Sequence, residues 1–424
     1  MRGKSFLKYL EFFLLFLFLL GVYGNGIKKV AFQPDESQWI STSAVFEAYV
    51  SGDIHSPLWD STYWNLTQPQ LARYVIGVGR RLGGLDTADL NAPWDYQKDY
   101  AANTAECHIP SEQLLWWSRL PMIFLEVLSV CIGFVLLKRI GGRTPAYLWV
   151  GLCLLSRYLP QMLGRAMGES TLLVCTAGCI WLSTRLLQVS DEKPQRLYLN
   201  FIFLAIFIGL AESAKLNGLA VLAAGFALAG IAAGRLKQNP TLKLRFGLIS
   251  VLILIFVSQF TFLVLNPFLW NDPLKRISML FFDRINEMHF QQIQYPAARL
   301  EGLVEHVQVE IPRIFQNYAS LRFTGAVWLN LALCLIGVIV LGMKAIGYLK
   351  GRNQNQASLA VLLVGAAVSI PSLFTPLDWD RYYLFPVYFS TISIALGMGW
   401  LISFIYGSIQ KKSRQTGKSV DGNV

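Results

Sequence analysis

The sequence has few charged residues for its length. Asp, Glu, Lys and Arg make up 15% of its 424 residues, whereas a soluble globular protein has about 25%. With 54% hydrophobic residues the chain is also far too apolar to remain disordered. The composition therefore excludes both a disordered chain and an ordinary cytosolic enzyme.

Cysteine and histidine are also scarce. There are 6 cysteines, and all except Cys107 lie in apolar segments, so no disulfide framework is indicated. The 4 histidines match the spacing of no metal motif. The sequence contains neither a Walker loop nor a GxGxxG motif in a suitable context, so it shows no motif for nucleotide binding.

Long apolar segments fill most of the chain instead. The mean hydropathy is +0.43, and each segment is about 20 residues long, which is what a helix needs to cross a bilayer. We therefore predict an all-α polytopic membrane protein with about ten transmembrane helices. The predicted spans are residues 5–24, 114–137, 145–162, 166–187, 197–214, 216–234, 246–266, 324–344, 357–375 and 383–407. Because Arg157 and Arg165 interrupt 145–187, counts from nine to twelve remain open, and residues 5–24 could instead be a signal peptide.

The net charge of +11 is distributed unevenly. Of the 37 Lys and Arg residues, 20 fall at the ends of spans that would share one side of the membrane. This positive-inside pattern sets orientation and does not indicate a nucleic-acid partner. We expect a protein of the plasma (inner) membrane with both termini cytoplasmic, organised as one membrane domain, 1–410, and a short basic cytoplasmic tail, 411–424.

Two long loops, 25–113 and 268–322, would then be extracytoplasmic. Each contains apolar residues at helical spacing. The apolar positions are Leu71, Tyr74, Val75, Val78 and Leu82 in the first loop, and Leu300, Leu303, Val304, Val307, Ile311, Ile314 and Phe315 in the second. Such helices beside membrane spans are expected in the interface plane, either packed on the membrane domain or roofing a site that opens to lipid.

Basic residues also gather on the predicted outer side, where the orientation statistics disfavour them. They are Arg157, Arg165, Lys215 and Arg381 in short turns, and Arg119 just inside the second span. Singly, each could form a structural ion pair, for example Arg165 with Glu169 or Lys215 with Glu212. Together they indicate an anionic ligand.

Adjacent acidic residues, Asp35 and Glu36, follow the first span. At a helix start they could simply cap the helix. The alternative is that they present a general base at the outer membrane surface.

The order of these motifs resembles that of the polyprenyl-phosphate-dependent glycosyltransferases of the C superfamily. The similar members are of the protein O-mannosyltransferase and aminoarabinose-transferase type, glycosyltransferase family 39 and its bacterial relatives. The resemblance extends from about residue 10 to residue 407. The matching motifs are Asp35-Glu36, Gly52-Asp53, Gln68-Pro69-Gln70-Leu71, Arg119-Leu120-Pro121, Arg165 with Glu169, Lys215-Leu216-Asn217-Gly218-Leu219, Asn266-Pro267-Phe268 and Arg381-Tyr382. Gln68 departs from the family, which has His or Lys there.

The resemblance implies transfer of a sugar, with inversion, from a polyprenyl-phosphate donor to an extracytoplasmic acceptor hydroxyl on a protein, lipid or glycan. It makes Asp35 the general base, with Glu36 beside it. The implied ligands of the donor phosphate are Arg119, Lys215, Arg381 and Arg165, and further substrate contacts are Gln68, Glu169 and Tyr382. Two carboxylates without a convergent histidine make a poor metal site, so we expect that no metal or other cofactor is required.

A transporter or flippase for a lipid-linked or anionic solute is the competing class, because outward-facing cations would serve it too. The acidic motif in the first long loop and the lack of an apparent internal repeat favour the transferase.

Overall fold

The protein is an all-α membrane protein, as predicted. The computed structural model describes residues 2–188, 194–352 and 355–420, and it is 82% helical. Within the described residues a single β-bridge pairs Arg299 with Leu377. The helices, numbered in chain order, are α1 (Arg2–Gly26), α2 (Pro34–Ser41), α3 (Val45–Ser51), α4 (Tyr63–Thr67), α5 (Leu71–Leu82), α6 (Tyr100–Ala105), α7 (Glu112–Gly141), α8 (Arg143–Leu155), α9 (Tyr158–Leu163), α10 (Gly168–Gln188), α11 (Pro194–Ala214), α12 (Val221–Arg235), α13 (Pro240–Leu265), α14 (Pro273–Ser278), α15 (Arg284–Gln294), α16 (Gly302–Pro312), α17 (Ala326–Leu349), α18 (Gln356–Ser369) and α19 (Leu384–Val420).

Nine segments of the described chain are long and apolar enough to span a membrane. They coincide with nine of the ten predicted spans. Their bounds are Tyr9–Lys29, Glu112–Gly141, Gly168–Gln188, Gln195–Ala214, Leu216–Arg235, Pro240–Leu265, Ala326–Leu349, Gln356–Phe374 and Asp380–Ser408. Of the predicted tail, residues up to Val420 continue the backbone of α19, and 421–424 lie outside the described residues.

The remaining predicted span, 145–162, is not one helix. It is divided into α8 and α9 because the backbone is extended at Ser156 (φ −66°, ψ 130°). The Ser156 hydroxyl then accepts the N–H of Leu159 at 3.1 Å and starts α9. With 13 residues, α8 is about 20 Å long, too short to cross about 30 Å of hydrocarbon.

Together, α8 and α9 nevertheless run from one end of the helix bundle to the other. Near the start of α8, the hydroxyl of Tyr147 donates to Glu11 of α1 at 2.9 Å. At the start of α9, the hydroxyl of Tyr158 donates to the carbonyl of Asp380, just before α19, at 2.6 Å. Together, α8 and α9 therefore extend along the bundle beside the nine apolar segments of the described chain.

Both long loops lie at one end of the bundle and pack against each other. The N–H of Gln70 donates to the side chain of Asn266 at 2.9 Å, and the hydroxyl of Tyr63 donates to Glu287 at 2.9 Å. At the opposite end, Lys138 of α7 pairs with Glu11 of α1 at 2.6 Å. The short helices α2–α6 and α14–α16 therefore form one layer over the end of the bundle that holds the start of α7.

The two predicted amphipathic helices are present as α5 and α16. On α5 the buried face includes Arg73 and Arg80, while Leu82 is 71% exposed. On α16 the buried face includes His306, while Val304 is 72% exposed. Both helices thus keep apolar side chains exposed on an outer face, as expected of a helix at a membrane interface, although α5 also buries Tyr74 and Ile76 and exposes Arg81.

Candidate active site

Asp35 and Glu36 begin α2 and are directed apart by the local helix cap. Pro34 occupies the first helical position, where its missing N–H has no consequence. The side chain of Gln33 accepts the N–H of Asp35 at 2.8 Å, and the N–H of Gln33 donates to Glu36 at 3.1 Å. This capping box holds Glu36 back towards the protein, where it is fully buried, and leaves Asp35 partly exposed.

Within the part of the chain that the structure describes, Asp35 has two side-chain partners, and both come from distant segments. One carboxylate oxygen accepts a hydrogen bond from Nη1 of Arg381, in the turn before α19. The other accepts the hydroxyl of Tyr96, in the loop before α6. The guanidinium of Arg381 also lies over two rings, 4.5 Å from the centroid of Trp379 and 5.6 Å from that of Tyr382.

The surrounding charges keep Asp35 ionised. Burial alone would raise the pKa of Asp35, but the charge of Arg381 and the hydrogen bond from Tyr96 outweigh it. Lys215 and Arg284 act in the same direction, so the pKa of Asp35 lies below its ordinary value. The pKa of the Tyr96 phenol is raised by burial and by the charge of Asp35, so this hydroxyl stays a donor. Asp35 is therefore a carboxylate at neutral pH, the form that a general base requires.

Glu36 and Arg119 form a buried ion pair. Nη2 of Arg119 lies 2.6 Å and Nε 2.8 Å from the Glu36 carboxylate. Nη1 of Arg119 donates to the carbonyls of Val30 at 2.8 Å and Ile27 at 3.3 Å. The N–H of Ala166, before α10, donates to Glu36 at 2.9 Å. The pair thus ties α2 to the ends of α1, α7 and α10, and it occupies each nitrogen of the guanidinium.

Lys215 lies in the turn between α11 and α12 and forms an ion pair with Glu169 in the first turn of α10. The second carboxylate oxygen of Glu169 is buried and has no hydrogen-bond partner within the described residues. Both side chains, together with Arg381 and Tyr382, line a small cavity of about 30 Å³. Four of the predicted site residues therefore share one cavity, and Asp35 touches one of its walls through Arg381.

Two structural ion pairs considered from sequence spacing are wrong. Arg165 does not pair with Glu169, because its Nη1 lies 3.6 Å from Asp380, beside Arg381. Glu212 does not pair with Lys215 and instead accepts a hydrogen bond from Gln259 at 2.9 Å.

Gln68 is placed apart from the other predicted site residues. Its carbonyl accepts hydrogen bonds from Gln70 at 2.9 Å and from Arg73 at 3.4 Å, and its side chain does not line the small cavity.

Three residues of the site were not predicted: Tyr96, Arg284 and Trp379. Arg284, from the start of α15, acts on Asp35 through its charge, and Trp379 supports Arg381. No local pattern marks Tyr96 or Arg284, because each reaches Asp35 from a distant segment, whereas Trp379 lies two residues before the predicted Arg381.

A larger cavity, about 1040 Å³, lies beside the site between the end of α1 and the start of α7. Its walls include Lys28, Phe32, Trp116 and Arg119, so it has apolar, aromatic and cationic surfaces. Its location at the start of α7 puts it in the half of the bundle that carries the two long loops.

Comparison with known proteins agrees with this architecture. Residues 38–272, more than half of the chain, match the family model described as dolichyl-phosphate-mannose-protein mannosyltransferase. The fold is similar to that of ArnT from Cupriavidus metallidurans in the apo state, with 15% identity and a TM-score of 0.54 over 94% of this chain and 60% of ArnT. It is also similar to the oligosaccharyltransferase AglB from Archaeoglobus fulgidus, with 13% identity and a TM-score of 0.50 over 96% of this chain and 52% of AglB. No curated protein sequence matches the chain.

Proposed function

The chain belongs to the dolichyl-phosphate-mannose-protein mannosyltransferase family, and on that premise we propose that it is a membrane glycosyltransferase. It moves a sugar from a polyprenyl-phosphate donor to an acceptor hydroxyl, with inversion, on the extracytoplasmic side. The single observation that carries the proposal is the ion pair between an ionised Asp35 and Arg381, which lines one small cavity together with Lys215. The reaction needs a base for the acceptor and cations for the leaving phosphate.

Lys215 and Arg381 hold the donor phosphate in this proposal. Both line the small cavity, and a guanidinium suits two phosphate oxygens at once. Charge accumulates on the phosphate as the sugar leaves, so cations fixed beforehand stabilise the transition state. Arg165 and its partner Asp380 position the turn that carries Arg381. Glu169 and Tyr382, in the same wall, contact the sugar.

Asp35 accepts the proton of the acceptor hydroxyl. The hydroxyl oxygen bonds to the anomeric carbon, and the bond from that carbon to the phosphate oxygen breaks with its electron pair on the polyprenyl phosphate. Attack opposite the leaving group inverts the configuration.

Glu36 and Arg119 position Asp35 without touching the reacting atoms, because the nitrogens of Arg119 are used within the protein. Gln68 is not part of the proposed site, because it does not line the small cavity. We also propose that the reaction needs no metal or other cofactor.

The sidedness follows from charge. The inner ends of α1 and α7, marked by Glu11 and Lys138, lie opposite the end that holds Asp35. The positive-inside pattern places Lys138 and its basic neighbours in the cytoplasm. The site then faces the extracytoplasmic side, both termini are cytoplasmic, and the acceptor is a protein, lipid or glycan of that side.

The test is a panel of polyprenyl-phosphate sugars presented to the purified protein in liposomes, with and without acceptor extracts. We expect release of polyprenyl phosphate from one donor and transfer of its sugar. Counterflow of an intact labelled donor, without release of polyprenyl phosphate from any donor, would contradict the transferase and support the flippase.

A further inference from the structure

Each cation at the small cavity is already neutralised by a carboxylate. Arg381 pairs with Asp35, and Lys215 pairs with Glu169. The quartet has no net charge, so it is unlike a preformed anion site. An incoming phosphate must therefore compete with the two carboxylates for the two cations.

Arg381 has unused hydrogen-bonding capacity on the cavity side. Within the described residues, its side chain donates a hydrogen bond to Asp35 through Nη1, and none is seen from Nε or Nη2. Neither of these two nitrogens is a buried donor without a partner, so both remain accessible. The side chain is 17% exposed and lines the cavity. A phosphate in the cavity would meet the free edge of the guanidinium.

Stacking lets the guanidinium turn without losing its support. Its centre lies over Trp379 at 4.5 Å and near Tyr382 at 5.6 Å, and these two rings are parallel within 10°. A cation–π contact depends on the distance to the ring face and little on rotation within the plane. Arg381 can thus exchange one hydrogen-bond partner for another while it remains on Trp379.

We propose, on the basis of the proposed function, that Arg381 is the counter-ion of Asp35 in the empty site and moves to the donor phosphate when the donor binds. Donor binding thereby makes Asp35 a stronger base. The acceptor hydroxyl loses its proton to Asp35 only when a sugar is in place to receive the oxygen. When polyprenyl phosphate leaves, Arg381 returns to Asp35.

The other groups that face Asp35 leave this exchange intact. Tyr96, from the loop before α6, keeps its hydrogen bond in either state. Arg284 of α15 has its own partner, Glu287, at 3.2 Å. Lys215 faces Glu169 and the phosphate. Glu36, the neighbour on α2, is turned away and paired with Arg119. Arg381 is therefore the group whose movement changes the charge next to Asp35 most.

The experiment is an infrared titration of the Asp35 carboxyl in nanodiscs, with and without dolichyl phosphate. The Asp35 band is identified by subtracting the spectrum of Asp35→Asn. In the wild type without dolichyl phosphate, we expect the titration midpoint of Asp35 to lie below the ordinary pKa range of an aspartate. With dolichyl phosphate we expect the midpoint to rise by about one pH unit or more, which is about a tenfold gain in proton affinity.

Variants separate the movement of Arg381 from the direct effect of the phosphate charge. Arg381→Gln should raise the midpoint in the empty protein and shrink the rise that dolichyl phosphate adds. Arg381→Lys keeps the positive charge and is less disruptive to folding. Without dolichyl phosphate, its Asp35 midpoint should lie near that of the wild type. Arg276→Gln is the matched control, because Arg276 pairs with Asp60 in the loop layer, where its Nη2 lies 2.7 Å from the Asp60 carboxylate. In this variant the Asp35 carboxyl should titrate as it does in the wild type.

An equal rise in the wild type and in Arg381→Gln would overturn the inference and leave the transferase standing, because the phosphate charge alone would explain it. Binding of dolichyl phosphate with no change in midpoint would overturn it as well. If dolichyl phosphate does not bind and no polyprenyl-phosphate sugar is cleaved, the proposed function fails and this inference fails with it.

Discussion

At the scale of single residues, two adjacent carboxylates have opposite environments. Glu36 is fully buried and has Arg119 as its partner, whereas Asp35 is partly exposed and faces a cavity wall. The capping box at Gln33 accounts for this difference, because it turns the second carboxylate back onto the helix start. The environments suit one residue for structure and the other for proton transfer.

The buried pair gives a prediction about stability. Arg119→Met leaves Glu36 buried without its cation, which should lower the free energy of unfolding by about 3–5 kcal/mol. Adding Glu36→Gln should recover part of that loss. The measurement is thermal unfolding in detergent, followed for the single and the double variant. A fully stable Arg119→Met with weakened donor binding would show instead that Arg119 holds the phosphate.

The cavity cations give a prediction about donor affinity. Lys215→Gln and Arg381→Gln should each weaken binding of a polyprenyl-phosphate sugar and slow its transfer, since the phosphate is both ligand and leaving group. Loss of a hydrogen bond to a charged group corresponds to roughly 1.5–3 kcal/mol, or about 10- to 150-fold. Arg381→Lys should recover only part, because an ammonium lacks the planar fork. Donor affinity unchanged in both Gln variants would remove these cations from the phosphate site.

Four of the candidate residues chosen from the sequence line one cavity, but not all of their partners were predicted. Spacing by four suggested that Arg165 pairs with Glu169, yet Arg165 lies near Asp380 and Glu169 near Lys215. Helical spacing describes neighbours on one helix, whereas these pairs cross between helices. Tyr96 escaped prediction for the same reason, since it is 61 residues from Asp35.

At the scale of elements, the second long loop fixes the turn that carries Arg381. Arg313 lies 2.6 Å from Asp378, and the N–H of Asp378 donates to Ala298 at 2.7 Å. The imidazole of His306 on α16 lies 2.7 Å from the carbonyl oxygen of Gly302 and 2.6 Å from that of Thr375. The loop layer is therefore connected directly to the position of Arg381.

This connection predicts that His306→Ala disturbs the site from a distance. At least one hydrogen bond of about 0.5–1.5 kcal/mol is lost from a buried position, so thermal stability should fall and the transfer rate should fall with it. His289→Ala is the control, because His289 is exposed on α15 and should change neither quantity. Normal transfer by a stable His306→Ala protein would show that α16 does not position the turn.

The helices themselves were largely predictable, because the hydrophobic period and segment length are local properties. Both amphipathic helices appeared where the spacing placed them, as α5 and α16. The break between α8 and α9 was not resolved in advance, because it depends on the extended backbone of Ser156. Sequence showed Arg157 as an interruption but could not show whether the chain would bend or continue.

At the scale of the whole molecule, the proposed reaction requires both long loops on one side of the membrane. Contacts between the two loops support this. For example, Nη2 of Arg276 in the second loop donates to the carboxylate of Asp60 in the first at 2.7 Å. Which side they occupy rests on the positive-inside pattern.

Cysteine labelling checks that orientation. In a Cys107→Ser background, which removes the exposed native cysteine, single cysteines at Ser61 and Glu301 should react with an impermeant thiol reagent added to intact cells. One at Gln238, in the exposed turn between α12 and α13, should react only after the membrane is permeabilised. Labelling of position 238 in intact cells would reverse the orientation and place the site in the cytoplasm.

The central claim is that Asp35 is the base of a glycosyl transfer, and a single-turnover assay of Asp35→Asn tests it most directly. Asp99→Asn is the matched control, because Asp99 caps α6 in the same loop, at 2.8 Å from the N–H of Ala102, and asparagine caps equally well. We predict that Asp35→Asn folds and binds the donor but loses about 10²–10⁴ in transfer rate, while Asp99→Asn transfers normally. Transfer by Asp35→Asn at the rate of the wild type would contradict the account.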